Sequence, residues 1–354
     1  MLIPLLAVFV AVVIGGIVIF LAGGNPFEAY GGLIEGSFGS AKALSETGIW
    51  ATPYIFAGLA VALAFKGGLF NIGAEGQLAF GAVAAAWVGY GLPDLIKTSI
   101  PPVLHVFLAI LAGVLAGAIW GGIPGYLKAK WGGHEVINTI MMNYIALNLT
   151  SFLLNGPMKD PSPLNVSART PIIAEGARIP IIFPGYRLHW GFVLALVIAF
   201  VVWFLLWKTT LGFQIRTAGL NPDAARYAGI NVQRVIVITM VLSGALAGLA
   251  GAVEVSGLNY RHELGFSTGY GFDAIAIALL GKTHPMGVVL ASILFGAMRN
   301  GATLMQFRTQ IPVDVISVIQ ALILLFVAAD AIVRFIFRIR VREERVVLTR
   351  GWGG

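Results

Sequence analysis

The sequence predicts an all-α polytopic membrane bundle, and three observations carry that expectation. Apolar residues make up 58% of the 354, above the roughly 45–50% of soluble globular chains. Charged side chains make up 11%, against about 25% in such chains, too few to clothe a water-exposed surface of this size. These charges are dispersed between apolar blocks of about 20 residues, long enough to cross about 30 Å of hydrocarbon.

Ten such blocks are read in order: 2–22, 48–65, 69–91, 103–127, 136–155, 189–207, 233–255, 268–281, 285–305 and 312–337. The first lacks the basic region that opens a signal peptide and is expected to be a retained span. The pair over 268–305 is interrupted by Gly281-Lys282-Thr283-His284-Pro285 and has a short first member, so it reads as two spans or as a re-entrant pair. With both termini cytoplasmic, ten spans place 14 of the 23 Lys and Arg inside, the sign that the positive-inside rule requires. Residues 156–188 carry Pro157, Pro161, Pro163, Pro171, Pro180 and Pro184, and read as a small extracytoplasmic cap. The basic segment 338–354 is expected at the anionic inner leaflet, a contact with membrane lipid.

Small residues recur at helical spacing. Gly113, Gly117 and Gly121 form one run and Gly244 and Gly248 another, with Ala247 and Gly251 beside it. Bare helix faces of this kind let two backbones approach closely.

The groups that enzymes need are missing. The chain has no cysteine, hence no disulfide, thiolate metal site or cysteine nucleophile. His134-Glu135 opens like a zinc-protease motif, but Asn138 stands where the second histidine belongs. Gly281-Lys282-Thr283 ends like a phosphate-binding loop, but Ala276 replaces its first glycine and a membrane helix precedes it. No catalytic residue, metal site or cofactor of its own is expected, and any energy source must be a gradient or a separate subunit that binds ATP. The net charge of +7 is spread along the chain, which argues against nucleic acid.

Polar residues inside the apolar blocks are costly and mark either a path or helix-to-helix bonding. Asn71, Glu75 and Gln77 interrupt the pattern beside Gly67, Gly68 and Gly73, as a broken helix facing a cavity would. Asn138 and Asn143 enter the fifth block but do not share a helical stripe. Asp273 lies five residues into the eighth block, and Glu254 and Asn259 flank it. These groups form no acid–histidine relay, which favours a neutral polar solute. Phe70, Tyr144, Tyr270 and Phe272 are placed to stack on a flat ring or to pack.

Between the sixth and seventh blocks, Asn221 as N-cap, Pro222 at the first helical position, Asp223 in the first turn and Gly229 past the end define a helix of under two turns. So short a helix is marginal alone and implies docking. Its small residues, Ala224, Ala225 and Ala228, suit a groove of another protein.

Gly219-Leu-Asn221-Pro-Asp-Ala224-Ala225-Arg-Tyr-Ala-Gly229-Ile230 resembles the coupling-helix loop of permease subunits of ATP-binding-cassette importers, in the branched-chain amino acid/ribose permease superfamily. Leu69-Phe-Asn71-Ile-Gly73-Ala-Glu75-Gly76-Gln77, Glu135-Val-Ile-Asn138-Thr-Ile-Met-Met-Asn143-Tyr144 and Gly271-Phe-Asp273-Ala-Ile-Ala-Ile-Ala-Leu-Leu-Gly281 are similar to its nucleoside-type branch, whose partner is a basic membrane lipoprotein. The resemblance covers about 25–340. Relatives usually carry basic residues before the first span, and this chain begins Met1-Leu-Ile-Pro4 instead.

What the resemblance implies is one transmembrane permease domain over 1–354, with a type II-like importer fold in which spans two to five and seven to ten are inverted repeats. The span count independently gives those two groups opposite directions across the membrane. It further implies a nucleoside path through the plasma (inner) membrane of a prokaryote, paired with a second homologous permease. The rival readings are a permease for a simple sugar such as a pentose and a secondary transporter. The 208–231 loop would carry ATPase coupling through Gly219, Asn221, Ala224, Ala225, Gly229 and Ile230. Cytoplasmic ATP-binding subunits would dock there, and an extracytoplasmic substrate-binding lipoprotein would meet 156–188.

Overall fold

The computed structural model describes residues 2–97, 100–162, 167–267, 269–329 and 332. Among them the chain is helical: α1 (Leu2–Leu21), α2 (Pro26–Phe38), α3 (Ala41–Lys66), α4 (Ala74–Ile96), α5 (Pro102–Trp131), α6 (Glu135–Asn155), α7 (Gly191–Lys208), α8 (Thr210–Leu220), α9 (Pro222–Tyr227), α10 (Val232–Glu254), α11 (Tyr270–Leu280), α12 (Pro285–Thr309) and α13 (Asp314–Ala328). A single π-helical turn, Val255–Asn259, continues α10.

Seven helices are long and apolar enough to cross a membrane: α3 to α7, α10 with its π turn, and α12. Three further apolar helices, α1, α11 and α13, fall short of that length over their described residues. Of the ten expected spans, seven correspond to helices of full membrane length, and the other three correspond to shorter apolar helices. With 11 residues, α11 is about 16 Å long, half a membrane. The basic segment 338–354 lies outside the described residues.

Two helices were not anticipated. α2 opens with Asn25, whose side chain accepts a hydrogen bond from the Phe27 backbone N–H, and with Pro26 at its first position. α8 opens with the Thr209 hydroxyl accepting from the Gly212 N–H. Both are marked by capping residues rather than by apolar blocks.

The centre of the bundle is α3, buried almost without interruption from Thr47 to Ala64. It touches α2, α7, α10, α11 and α12. The closest pairing is α5 with α10, and the glycine runs explain it. Gly117 lies against Gly244 and Gly248, Gly113 against Gly248 and Ala252, and Gly121 against Met240 and Gly244. A Cβ at Gly117, Gly244 or Gly248 would overlap the facing backbone. Where the hydrophobic effect is silent, this close backbone contact is the source of helix association.

The described residues of the 156–190 connection form an irregular cap over one end of the bundle, with one 3₁₀ turn at Glu175–Ala177. Backbone hydrogen bonds fasten it down: Ala174 N–H to Gly89 O, Ile173 N–H to Tyr260 O, and Ile179 N–H to Ser256 O. Within it, Ile173, Ala177 and Ile179 are buried.

Candidate functional site

After α3 the chain turns through Gly67 and Gly68, the latter at φ +70° against the backbone of Gly219. It then dives back into the bundle, where the approach to α4 lies beside Ser243, from the middle of α10, and Ala60, from the last third of α3. A helix that begins inside apolar surroundings leaves its first N–H groups unsatisfied unless side chains reach them. Asn71 and Asn143 do so. Asn71 Oδ1 accepts from Gly73 N–H at 3.0 Å, and Asn143 Oδ1 accepts from Gly76 N–H at 2.9 Å. Asn71 and Gln77 exchange amide hydrogen bonds of 2.8 and 3.0 Å, and Asn71 also donates to Ser243 Oγ at 2.8 Å, which donates to Ala60 O. Asn143 Nδ2 donates to Ile72 O at 2.9 Å.

Asn71, Gln77 and Asn143 are all buried in protein. Their hydrogen bonds hold the helix break in place. Asn138 stands apart, half-buried beside Gly133. Of the four aromatics singled out, Phe70, Tyr144 and Phe272 are exposed, and Tyr270 is buried.

Glu75, in the first turn of α4, accepts the Gly271 N–H at 2.7 Å, so the beginnings of α4 and α11 face each other. One turn along α11, Asp273 Oδ2 accepts from the Tyr54 hydroxyl at 2.8 Å and lies 3.6 Å from Arg299. Arg299 Nε also donates to Tyr54 Oη at 3.3 Å. Both charged side chains are 24% exposed, so this triad meets the surface where the Asn71 network does not. The sequence reading found Asp273 but missed Arg299 and Tyr54. A lone cation in the middle of an apolar block was the available signal for Arg299.

Beside the triad, under the cap, lies a cavity of about 310 Å³ lined by Trp50, Glu254, Asn259, Arg261, Phe266 and Tyr270, among others. The Tyr270 ring meets Tyr54 edge-on at 5.1 Å, joining the cavity wall to the Asp273 triad. Two buried histidines close this end. Burial pushes His189 down to about 4 and His262 to about 3, so both are neutral at physiological pH.

At the opposite end, α9 forms as its caps demand. Asn221 Oδ1 accepts from Asp223 and Ala224 N–H, both at 3.0 Å, and Gly229 turns the chain at φ +80°. One expectation is corrected. Ala225 is fully buried within the chain, its carbonyl receiving Ile230 N–H at 3.0 Å, because α9 leans on α8 and the start of α10. Gly219 likewise turns inward, against Lys66 and Gly67, and Ile230 is half-buried. Asn221, Ala224 and Gly229 do face outward. The large outward groups are Leu220, 89% exposed, and Tyr227, 97% exposed, which the small-residue argument overlooked.

Residues 43–328 match the family described as branched-chain amino acid transport system / permease component. The chain belongs to this permease family. It is 41% identical to the guanosine ABC transporter permease protein NupP of Bacillus subtilis over 343 residues, 95% of each chain. It is 34% identical to the nucleoside ABC transporter permease protein NupB of Lactococcus lactis, covering 98% of this chain and 94% of that one. It is 36% identical to the glucose ABC transporter permease protein TsgB13 of Haloferax volcanii, over 91% and 86%. No solved structure matches the chain.

Proposed function

We propose that the chain is the membrane permease subunit of an ATP-binding-cassette importer and passes a nucleoside across a prokaryotic plasma membrane. The observation that carries this reading is the likeness, over nearly the full length of both chains, to permeases described for guanosine and for nucleosides. The glucose permease makes a sugar the second reading.

The fold supports a passive path worked by others. Leu220 and Tyr227 offer an exposed apolar surface at α9 for a cytoplasmic ATP-binding subunit, which would supply the ATP chemistry. A second homologous permease completes the path, and a substrate-binding lipoprotein delivers solute to the cap, with both termini cytoplasmic. About ten passes and inverted repeats fit the head-to-head meeting of α4 and α11, since each follows a long helix, α3 and α10, and starts within the bundle.

Glu75 and Asp273, with Tyr54 and Arg299, are the groups we place along the path. Asn71, Gln77 and Asn143 would shape it from behind, and Asn138 would flank it. The test is reconstitution of the chain with its native partners in proteoliposomes. Nucleosides are expected to stimulate ATP hydrolysis and to accumulate; stimulation by glucose or a pentose alone would refute the nucleoside assignment.

A further inference from the structure

The cavity under the cap holds a carboxylate, Glu254, that Arg187 attracts from beyond contact distance. Glu254 ends α10 and is buried, yet it accepts from an amide, Asn259 Nδ2, at a long 3.4 Å. The neighbouring guanidiniums are matched elsewhere: Arg187 holds Glu46 at 2.6 Å and Arg261 holds Glu263. Among the described residues, Glu254 has no cation at ion-pair distance. A carboxylate offers about four acceptor positions, and one weak hydrogen bond leaves most of them open.

Flat rings line the same cavity. Trp50 and Tyr270 lie 6.4 Å apart, tilted by 58°, and with Phe266 they make an angled aromatic wall. The cavity's volume falls at the lower end of the about 300–1,000 Å³ of small-molecule sites, and its lining, aromatic with a few convergent polar groups, has the usual composition of one.

We infer that this cavity is a nucleoside site at the cap-side mouth of the path, an assignment that rests on the nucleoside reading above. The base lies against Trp50, Phe266 and Tyr270, and Glu254 accepts from an adjacent pair of donors. Two parts of a purine nucleoside present such a pair: the N1–H and N2–H edge of guanine, and the 2′- and 3′-hydroxyls of ribose. Asn259 adds an amide able to donate or accept, and the contact of Tyr270 with Tyr54 hands the solute on toward Asp273.

The experiment measures uptake of guanosine, inosine and 2′-deoxyguanosine by the complete transporter in proteoliposomes, with the wild-type chain, Glu254→Gln and Trp50→Leu. Wild type is expected to favour guanosine over whichever analogue lacks the contacted donor: inosine for the base edge, 2′-deoxyguanosine for the ribose. Glu254→Gln should raise the guanosine KM about tenfold and abolish that preference. Trp50→Leu should raise all three KM values about tenfold, as lost base stacking does. The preference is a ratio, so it does not change with the amount of folded complex. KM values and ratios within twofold of wild type in both variants would overturn this assignment alone. A wild-type complex that moves glucose but no nucleoside would overturn the nucleoside reading, and this site with it.

Discussion

Glu75 and Gly271 join two helix beginnings: the Glu75 carboxylate, in the first turn of α4, accepts the backbone N–H of Gly271 at the start of α11. A helix N-terminus carries partial positive charge, and here one acidic side chain serves two of them inside the bundle. Glu75→Ala leaves a buried N–H without a partner, a cost of about 1–3 kcal/mol. Glu75→Gln keeps an acceptor oxygen and should cost less. Thermal unfolding in detergent is expected to rank wild type above Glu75→Gln above Glu75→Ala, and equal midpoints would refute the role.

The glycine crossing of α5 and α10 is the second place where one atom decides. A Cβ at Gly117 would overlap the carbonyl of Gly244 and the backbone of Gly248, neither of which is a flexible side chain. Gly117→Ala should therefore lower stability by roughly 1–3 kcal/mol or more, as overpacking does. Gly31, exposed on α2 with nothing within 4 Å of its Cβ direction, is the control. Gly31→Ala should raise stability by about 0.5–1 kcal/mol.

Acid should loosen the cap. His189 and His262 titrate near 6.5 when unfolded, and burial lowers them to about 4 and about 3 in the folded chain. Between those values the unfolded state binds protons that the folded state refuses, so stability is full above pH 6.5 and declines as pH falls toward 4 and then 3. The loss at the acid limit is on the order of 3 kcal/mol for His189 and 5 kcal/mol for His262. The two ring nitrogens of His262 have no hydrogen-bond partner among the described residues, so His262→Phe should flatten the acid limb of a plot of unfolding midpoint against pH. An unchanged acid limb would rule out His262 as its source.

The sequence made local features legible and hid tertiary ones. Asn221, Pro222 and Gly229 specify α9 within nine residues, and α9 forms where they place it. The same Asn-Pro signal at Asn25-Pro26 went unused because α2 is mixed in polarity and too short for a span. The glycine spacing foretold close packing, and the structure supplied the partner. No local pattern could reveal that Ala225 faces inward, since that depends on how α9 settles on α8 and α10. Nor could it join Tyr54 to Asp273, 219 residues apart in the chain. The polar interruption at 71–77 was visible as a broken helix, but whether its amides face a cavity or each other depends on Ser243 and Asn143, which come from elsewhere.

The Asp273–Arg299 pair separates a transport role from a structural one. Neutralising either member removes their ion pair in a site only 24% exposed, and Asp273→Asn or Arg299→Gln should each cost about 1–3 kcal/mol of stability. The double variant removes both charges and should regain most of the lost unfolding midpoint, because a paired charge in such a site adds little net stability. If the triad lines the path, uptake stays low in the double variant despite the recovered fold. Recovery of uptake together with stability would make the pair structural only.

Docking at α9 can be tested by contrasting residues that point out with one that points in. Tyr227 and Leu220 are 97% and 89% exposed, so truncating them removes little contact within the chain. Tyr227→Ala with Leu220→Ala is expected to leave the unfolding midpoint of the isolated permease within about 0.5 kcal/mol of wild type, as surface changes do. The same variant should reduce co-purification of an ATP-binding subunit tenfold or more, because exposed aromatic and aliphatic groups are the usual anchors of an interface. Ala225→Leu should do the reverse, lowering the midpoint of the isolated permease by overfilling a sealed position before any partner is present. If the double truncation copurifies as well as wild type, the partner grips a different surface, and the α9 assignment falls while the fold stands.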